Sequence, residues 1–380
     1  MKIAVVGAGL VGAVAALAMA KTGGQVIWVG PSKPESPDRF LAINPTAIAF
    51  LAELDVLSSL PKSARGPVKK MHIADFNQDT KLVFDAAKTQ GYALCEIVPA
   101  AILLQTLERA SRKQENIQCV PDEYVSHRIE NERCMIQLKN TQAIEVDYVI
   151  VADGAMSRVR EIENIPFKSH DYQRAAVTAT LQLAMPHEQV AYQYFLDHGP
   201  LALLPLAEAD KVSIVWSTTL TEANHLKNIS SEGFVTRLAN LLPQHFQDAI
   251  SCSPRYTFPL RSLTAKTTVQ NKVFLVGDAA HVVHPLAGLG LNLGLLDVIA
   301  VQQLFLSRQN KNRPFNPNAL QRFARERQWE MGIYLKTIDA IERAFHEPKG
   351  AARKIGQLAL AMGGVPFVNR LLINKATAVT

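Results

Sequence analysis

Residues 2–30 constrain this chain more than any other segment. Lys2–Val6 (KIAVV) is a short β-branched run, followed at once by Gly7-Ala8-Gly9-Leu10-Val11-Gly12 and an alanine-rich stretch. Positions 3–20 are wholly apolar and lie between Lys2 and Lys21. On composition alone they suit a secretory signal peptide: a basic residue, an apolar stretch and an A-x-A-like end at Ala18-Met19-Ala20. The glycine spacing argues instead for strand, turn and helix. Gly7 then makes the tight turn, Gly9 lets the backbone approach a pyrophosphate, and Gly12 lets helix and strand pack closely. The first amides of the helix, with its dipole, attract the anion. A second strand, Gln25–Val29 (QVIWV), returns at the distance of a βαβ unit. We therefore read a dinucleotide-binding start. Its usual acidic partner for the ribose hydroxyls, about 20 residues on, is missing. Gly30 stands at the strand end, and Glu35 and Asp38 fall too far along a proline-rich stretch.

The rest of the composition narrows the class. With 380 residues, 48% hydrophobic and 19% charged, the chain is neither disordered nor fibrous, and it is long enough for two domains. The 40 Lys and Arg against 34 Asp and Glu leave a net +6, but the cations are scattered, so no nucleic-acid arm is expected. Cys95, Cys119, Cys134 and Cys252 lie far apart without a C-x-x-C, and read as reduced thiols of a cytosolic protein. His281 and His284 sit at i, i+3 without a third ligand, so no metal is expected.

Periodicity places helices at 45–54 and 100–112, a strand pair at 70–76 and 81–84, and a small meander from segments at 119–120 and 135–138. A buried strand follows at Tyr148–Val151 (YVIV). Residues 166–260 then read as strands with a single helix near 233–242. The run KVFLVGDAA (272–280) restores the first pattern, an apolar helix begins near 291, and a long amphipathic helix covers 318–346. The expected architecture is α/β: a nucleotide-binding domain (1–70, 93–165 and 256–347) with an inserted β-rich substrate domain (71–92 and 166–255). A C-terminal helical segment (348–380) follows.

Two further segments follow strands. In VIVADGAMSRVR (149–160), Asp153-Gly154 closes a strand. In VFLVGDAAHVVHPLAGLGLNLGLLD (273–297), Asp278 does the same, and Gly288, Gly290 and Asn292 open a helix. Either aspartate alone reads as a turn residue, but three such segments in order point to one site. A carboxylate at a strand end can accept hydrogen bonds from a polyol, and a glycine-rich helix start can present amides to an electron-rich ring edge.

On these residues the sequence resembles the flavin-dependent aromatic hydroxylases of the p-hydroxybenzoate hydroxylase type. Within them it looks like the ubiquinone-biosynthesis (UbiH-type) monooxygenases. The narrower match rests on RFLAINPTAIAFL (39–51), HGPLALLPL (198–206), SIVWS (213–217), HPLAGLGLNLGLLDV (284–298) and Lys336-Thr337-x-Asp339. The resemblance implies a Rossmann-like FAD-binding domain, NAD(P)H as reductant, and a flavin C4a-hydroperoxide that transfers one oxygen atom to an aromatic ring. It implies that Gly7, Gly9, Leu10, Val11 and Gly12 hold the pyrophosphate, with Asp153 near it. Arg39 would reach the phosphate or ribityl side and Asp278 the ribityl chain, while Gly288, Gly290, Leu291 and Asn292 bracket the isoalloxazine.

The resemblance further implies an apolar polyprenyl phenol or quinone substrate and a cytoplasmic protein, peripheral at the inner membrane surface. A hydroxylase assembly or homo-oligomer fits the same picture. Lys349, Arg353 and Lys354, with the apolar run at 355–368, could serve the membrane contact or pack on the core. Tyr192, Tyr194, Phe195 and Trp216 read equally as sheet core or as the lining of a ring pocket. The chain departs from the family at Gly30 (for Glu), Ala100-Ala101 (for a polar pair), Met156 (for Asn), Leu289 (for Gln) and Leu296 (for Arg). Each departure removes a polar contact near the cofactor, so a homologue without FAD that acts as a scaffold is the alternative reading. A hydroxylase of a soluble aromatic is another.

Overall fold

A computed structural model describes residues 1–30, 39–75, 81–89, 92–196, 199–242, 249–283, 289–308 and 314–346. The apolar start forms the middle of a six-stranded sheet. β1 (Lys2–Val6) pairs in parallel with β2 (Gln25–Val29) on one side and β12 (Tyr148–Val151) on the other. β8 (Ile117–Val120) extends the sheet beyond β2; β20 (Val273–Leu275) and β19 (Val269–Gln270) extend it beyond β12. A topological switch therefore falls between β1 and β12, where open parallel sheets bind ligands.

Side chains alternate across this sheet. Ile3 and Val5 join one hydrophobic cluster, Ala4 and Val6 another. On the first face α1 (Leu10–Lys21) lies against the sheet, α3 (Ala100–Arg112) and α7 (Leu289–Leu306). Ten of its residues are buried, which is why it carries no polar face. On the second face a meander of β9 (Tyr124–Glu130), β10 (Arg133–Leu138) and β11 (Ile144–Val146) packs Cys134, Ile136 and Val146 under Val6, Val29 and Val151. The expected meander included residues 119–120. They lie in β8 instead, because Cys119 and Val120 pair in parallel with Trp28 and Val29 and complete that edge.

A nine-stranded sheet forms the other large layer. It contains β5 (Lys70–Asp75), β6 (Lys81–Asp85), β13 (Phe167–Leu183), β14 (Val190–Leu196), β15 (Gly199–Pro205), β16 (Lys211–Thr219), β17 (Ala249–Cys252), β18 (Tyr256–Ala265) and β21 (His281–Val282). Residues 256–265 and 281–282 were expected in the nucleotide-binding domain. They belong to this sheet because β13 is long enough to pair with β18 from Phe167–Ala265 to Thr178–Tyr256, and β18 then pairs with β21. A three-stranded sheet of β3 (Phe40–Ile43), β7 (Cys95–Pro99) and β4 (Gly66–Val68) lies between the layers in sequence.

α2 (Pro45–Glu53) starts where Asn44 accepts from the Ala47 amide at 2.8 Å, with proline at its first position. In place of the single helix expected near 233–242 there are two, α5 (Leu220–Asn228) and α6 (Ser231–Ala239). Thr219 and Ser230 each cap a separate start. α4 (Arg158–Ile162) follows the Asp153 turn, and α8 (Pro317–His346) is the long amphipathic helix. No described helix is long and apolar enough to cross a membrane. Residues 348–380, with Lys349, Arg353 and Lys354, lie outside the described residues.

A buried polar chain ties the meander to α4. Tyr124 bonds His127 Nδ1 at 2.5 Å, His127 Nε2 meets Glu163 Oε1 at 2.6 Å, and Asn271 donates to Glu163 Oε2 at 2.9 Å. Burial disfavours the Glu163 carboxylate, but these partners outweigh it and hold its pKa below the usual value. A depressed carboxylate stabilises the fold above its unfolded pKa, and the gain vanishes as pH falls through the folded value. Glu163→Gln is therefore expected to cost about 1–3 kcal/mol at neutral pH. The gap to the parent should narrow in urea melts as pH falls below the ordinary glutamate range and through the depressed folded value.

Candidate active site

Strand register brings the three glycine-bearing segments together. Val6, Val151 and Leu275 lie side by side on β1, β12 and β20. The Ala152 amide donates to the Val6 carbonyl at 2.7 Å, and the Val276 amide to Val151 at 2.9 Å. The loops at 7–12, 153–154 and 277–278 thus leave one edge of the sheet together. At Gly7 (φ +125) a Cβ would stand 2.2 Å from the Ala152 carbonyl oxygen, and at Gly12 it would stand 1.9 Å from that of Gly7. The protein's own packing demands glycine at both. Gly9, Gly154 and Gly290 differ: a Cβ there would meet nothing within 4 Å among the described residues, and all three line a cavity of about 550 Å³. Their missing side chains leave an open cradle, which fits a cofactor lying close against backbone.

Leu10, Val11, Arg39, Asp278, Leu291 and Asn292 line the same cavity; Gly288, like His284, lies outside the described residues. Burial raises the Asp278 pKa against the pull of His281 and Arg39. Asp153 is held at the turn by the Val159 amide, which donates to its Oδ2 at 3.3 Å. Its Oδ1 is buried without a partner among the described residues. Burial raises its pKa as well, against hydrogen bonds from Ser157 and the Val159 amide. A donor supplied from outside the protein would satisfy Oδ1. Asn292 uses its side chain within the fold: Nδ2 donates to the Ala42 carbonyl at 2.7 Å and Oδ1 accepts from the Asn44 amide at 3.0 Å. It fastens the β3–α2 junction to the start of α7.

Two further residues organise this edge, and sequence reasoning assigned neither. Asp297, in the apolar helix α7, accepts from the Gly277 amide at 2.9 Å, meets His281 Nε2 at 2.6 Å, and takes Arg327 of α8 at 2.5 Å. Burial opposes charge on both partners of the His281 pair, yet their mutual attraction raises the His281 pKa and lowers that of Asp297. A lone carboxylate in an otherwise apolar helix was the available signal, since a buried charge needs partners. Arg160, only 2% exposed, donates to the Ala279 carbonyl at 2.8 Å and the Ala155 carbonyl at 2.7 Å. It clamps the Asp153 and Asp278 loops to one another. Among the described residues no cluster of three metal-type ligands occurs.

The opposite wall is one face of the nine-stranded sheet. Ala176 and Thr178 on β13, Ala202 on β15, and Ser213 and Ser217 on β16 point to the cavity. The alternate residues Val177, Leu203, Ile214 and Trp216 form the core with α5 and α6. Small residues on one face and large ones on the other make room for a ligand. Tyr192 borders the cavity and also packs against the core cluster that holds Tyr194 and Trp216, while Phe195 belongs to a smaller cluster with Val283 and Leu293. Met71, Phe84, Leu94 and the buried Cys95, its thiol pKa pushed up to about 12 by burial, make the wall more apolar toward β5–β7.

The departures from the family pattern have structural consequences. Met156 is 81% exposed at the turn, Ala100 is fully buried at the start of α3, and Leu296 packs toward Phe195 and Val283. Gly30 adopts φ +154, and a Cβ there would lie 2.8 Å from the Ala8 amide nitrogen. The strand end has closed onto the phosphate-type loop, so glutamate cannot simply be put back.

Three substitutions test this geometry. Gly12→Ala should destabilise the fold by about 3 kcal/mol or more. Gly9→Val should leave the melting temperature near the parent's while lowering FAD affinity at least ~10-fold, since its side chain enters the cradle. Gly30→Glu should lower both stability and FAD affinity, as read by melting and by flavin absorbance titration; a gain in affinity would refute the closed contact.

Comparison with known proteins agrees with this geometry. The family model described as FAD binding domain matches residues 1–313. The chain is 27% identical to the 3-demethoxyubiquinol 3-hydroxylase of Escherichia coli over 376 residues, covering 96% of this chain and 95% of the relative. It is 28% identical to the ubiquinone hydroxylase UbiL of Rhodospirillum rubrum over 367 residues, covering 93% and 84%. Among solved structures, a variant of PqsL from P. aeruginosa superposes with a TM-score of 0.80 at 17% identity, covering 95% of this chain and 99% of that one. From its phosphate-type loop to its second sheet, the chain belongs to the FAD binding domain family of flavin-dependent monooxygenases.

Proposed function

We propose that this protein hydroxylates the aromatic ring of a polyprenylated phenol or quinone precursor in ubiquinone biosynthesis, using FAD, NAD(P)H and O2. The observation that carries the reading is one cavity that joins the open glycine cradle to a sheet face of small residues with an apolar end at Phe84, Leu94 and Cys95. The named relatives that act on quinols support the substrate class.

In this reading Gly7, Gly9, Leu10, Val11 and Gly12 hold the pyrophosphate, with Asp153 Oδ1 accepting a hydrogen bond nearby. Arg39 neutralises phosphate or reaches the ribityl side, and Asp278 accepts from ribityl hydroxyls. Gly288, Gly290, Leu291 and Asn292 bracket the ring system, where the first amides and dipole of α7 favour negative charge. FAD, once reduced by NAD(P)H, supplies the oxygen activation. The protein's own task is to orient and to exclude water. Arg160 and Asp297 hold the two loops in place, and the small sheet face seats the substrate ring flat against the cofactor side. Phe84, Leu94 and Cys95 offer an apolar path for a prenyl tail and keep water from the reacting edge.

An apolar substrate of this kind would be drawn from a membrane surface, with peripheral contact there and a hydroxylase assembly or homo-oligomer as the working form. The test is direct. Purified protein should take up FAD at micromolar concentration and oxidise NAD(P)H faster when given a hydroquinone bearing a decyl tail. The soluble p-hydroxybenzoate should stimulate it at least ~10-fold less, a difference of about 1.4 kcal/mol that burial of two methylenes already exceeds. Failure to bind FAD at high micromolar concentration would reject the enzyme in favour of the scaffold.

A further inference from the structure

One polar group on the cavity wall is left unanswered by the protein. Thr178, Val215, Ala202 and Gln193 form a row across β13, β16, β15 and β14, and all four line the cavity. The Thr178 hydroxyl oxygen is buried and has no hydrogen-bond partner among the described residues. Its neighbours Ala176 and Val215 carry no acceptor on their side chains, and Tyr256 opposite it on β18 and Ser213 and Ser217 diagonally across on β16 make no hydrogen bond to it. Burying an unpaired hydroxyl is unfavourable. Valine would offer the same branched shape and strand preference without that cost, so strand formation does not account for threonine.

The row also has a defined place between the two ends of the cavity. Along β14, Gln193 stands midway between Phe195, which clusters with Val283 and Leu293, and Ala191, which clusters with Phe84, Leu94 and Cys95. The first end adjoins the start of α7; the second is the most apolar part of the wall. A ring anchored in the Thr178 row therefore has the α7 edge on one side and an apolar path on the other.

Building on the function proposed above, we infer that the Thr178 hydroxyl donates a hydrogen bond to an oxygen substituent of the substrate ring. This fixes which ring edge faces α7 and sends the apolar tail toward Phe84, Leu94 and Cys95. The ligand class is an oxygen-bearing aromatic ring with an apolar chain. Thr178 acts as a specificity residue and touches no reacting atom of its own.

The experiment compares Thr178→Val and Thr178→Ser in the FAD-loaded protein with the decyl hydroquinone. Thr178→Val should raise KM about 3- to 10-fold, the size of one lost hydrogen bond. It should also lower the share of NAD(P)H consumed that yields hydroxylated product. FAD should still bind, and Thr178→Ser should stay within about twofold of the parent in KM. An unchanged KM in Thr178→Val overturns the inference. So does equal impairment of both variants with loss of FAD, which would mark a packing role. If the parent itself does not turn over the hydroquinone, the proposed function fails. Thr178 is then judged by phenol binding, followed through the flavin spectrum: weaker binding in Thr178→Val alone sustains the hydrogen bond, and equal binding rejects it.

Discussion

The parallel register of β1, β12 and β20 is the constraint on which the rest of the site depends. Because Val6, Val151 and Leu275 stand side by side, three loops separated by well over a hundred residues of chain end on one edge. No loop could make the cavity by itself. The Gly7–Gly12 turn contributes backbone and a helix start, the Asp153 turn the open Gly154 position, and the Asp278 turn a carboxylate. A one-residue slip in any of the three strands would turn its side chains to the other face and aim its loop away.

Two buried ionic centres lock that edge. Arg160 spans the Asp153 and Asp278 loops through two carbonyl oxygens, and Asp297 holds the Gly277 amide, His281 and Arg327 at once. Breaking such a buried pair by removing one partner typically costs about 3–5 kcal/mol. Arg327 comes from α8, so the long C-terminal helix is coupled to the loop that lines the cavity. The stability of the fold and the shape of the site are in this sense one property.

Local pattern made a good part of this legible. Strands 2–6, 25–29 and 148–151, the helix at 100–112 and the long helix all follow from periodicity and glycine placement within short windows. What escaped was set by partners distant in sequence. Residues 119–120 read as meander because their parallel partner lies some ninety positions earlier, and the continuation of β18 past residue 260 escaped notice because its partner is the distant β13. The roles of Asp297 and Arg160 were invisible for the same reason, since each is defined by contacts with other segments. Gly30 is the sharpest case. Its identity showed a missing carboxylate, but only its φ and its closeness to Ala8 show that the space has been taken by backbone.

The central claim is that the glycine cradle and the small-residue sheet face form one continuous cavity, occupied by cofactor and substrate together. Difference spectroscopy tests it most directly: FAD-loaded protein is titrated with a decyl benzoquinone that does not react. The account predicts a saturable change in the visible flavin band, abolished by Ala202→Phe, which fills the sheet face, with FAD still bound. No change at saturating quinone, or a change that Ala202→Phe leaves intact, would contradict it.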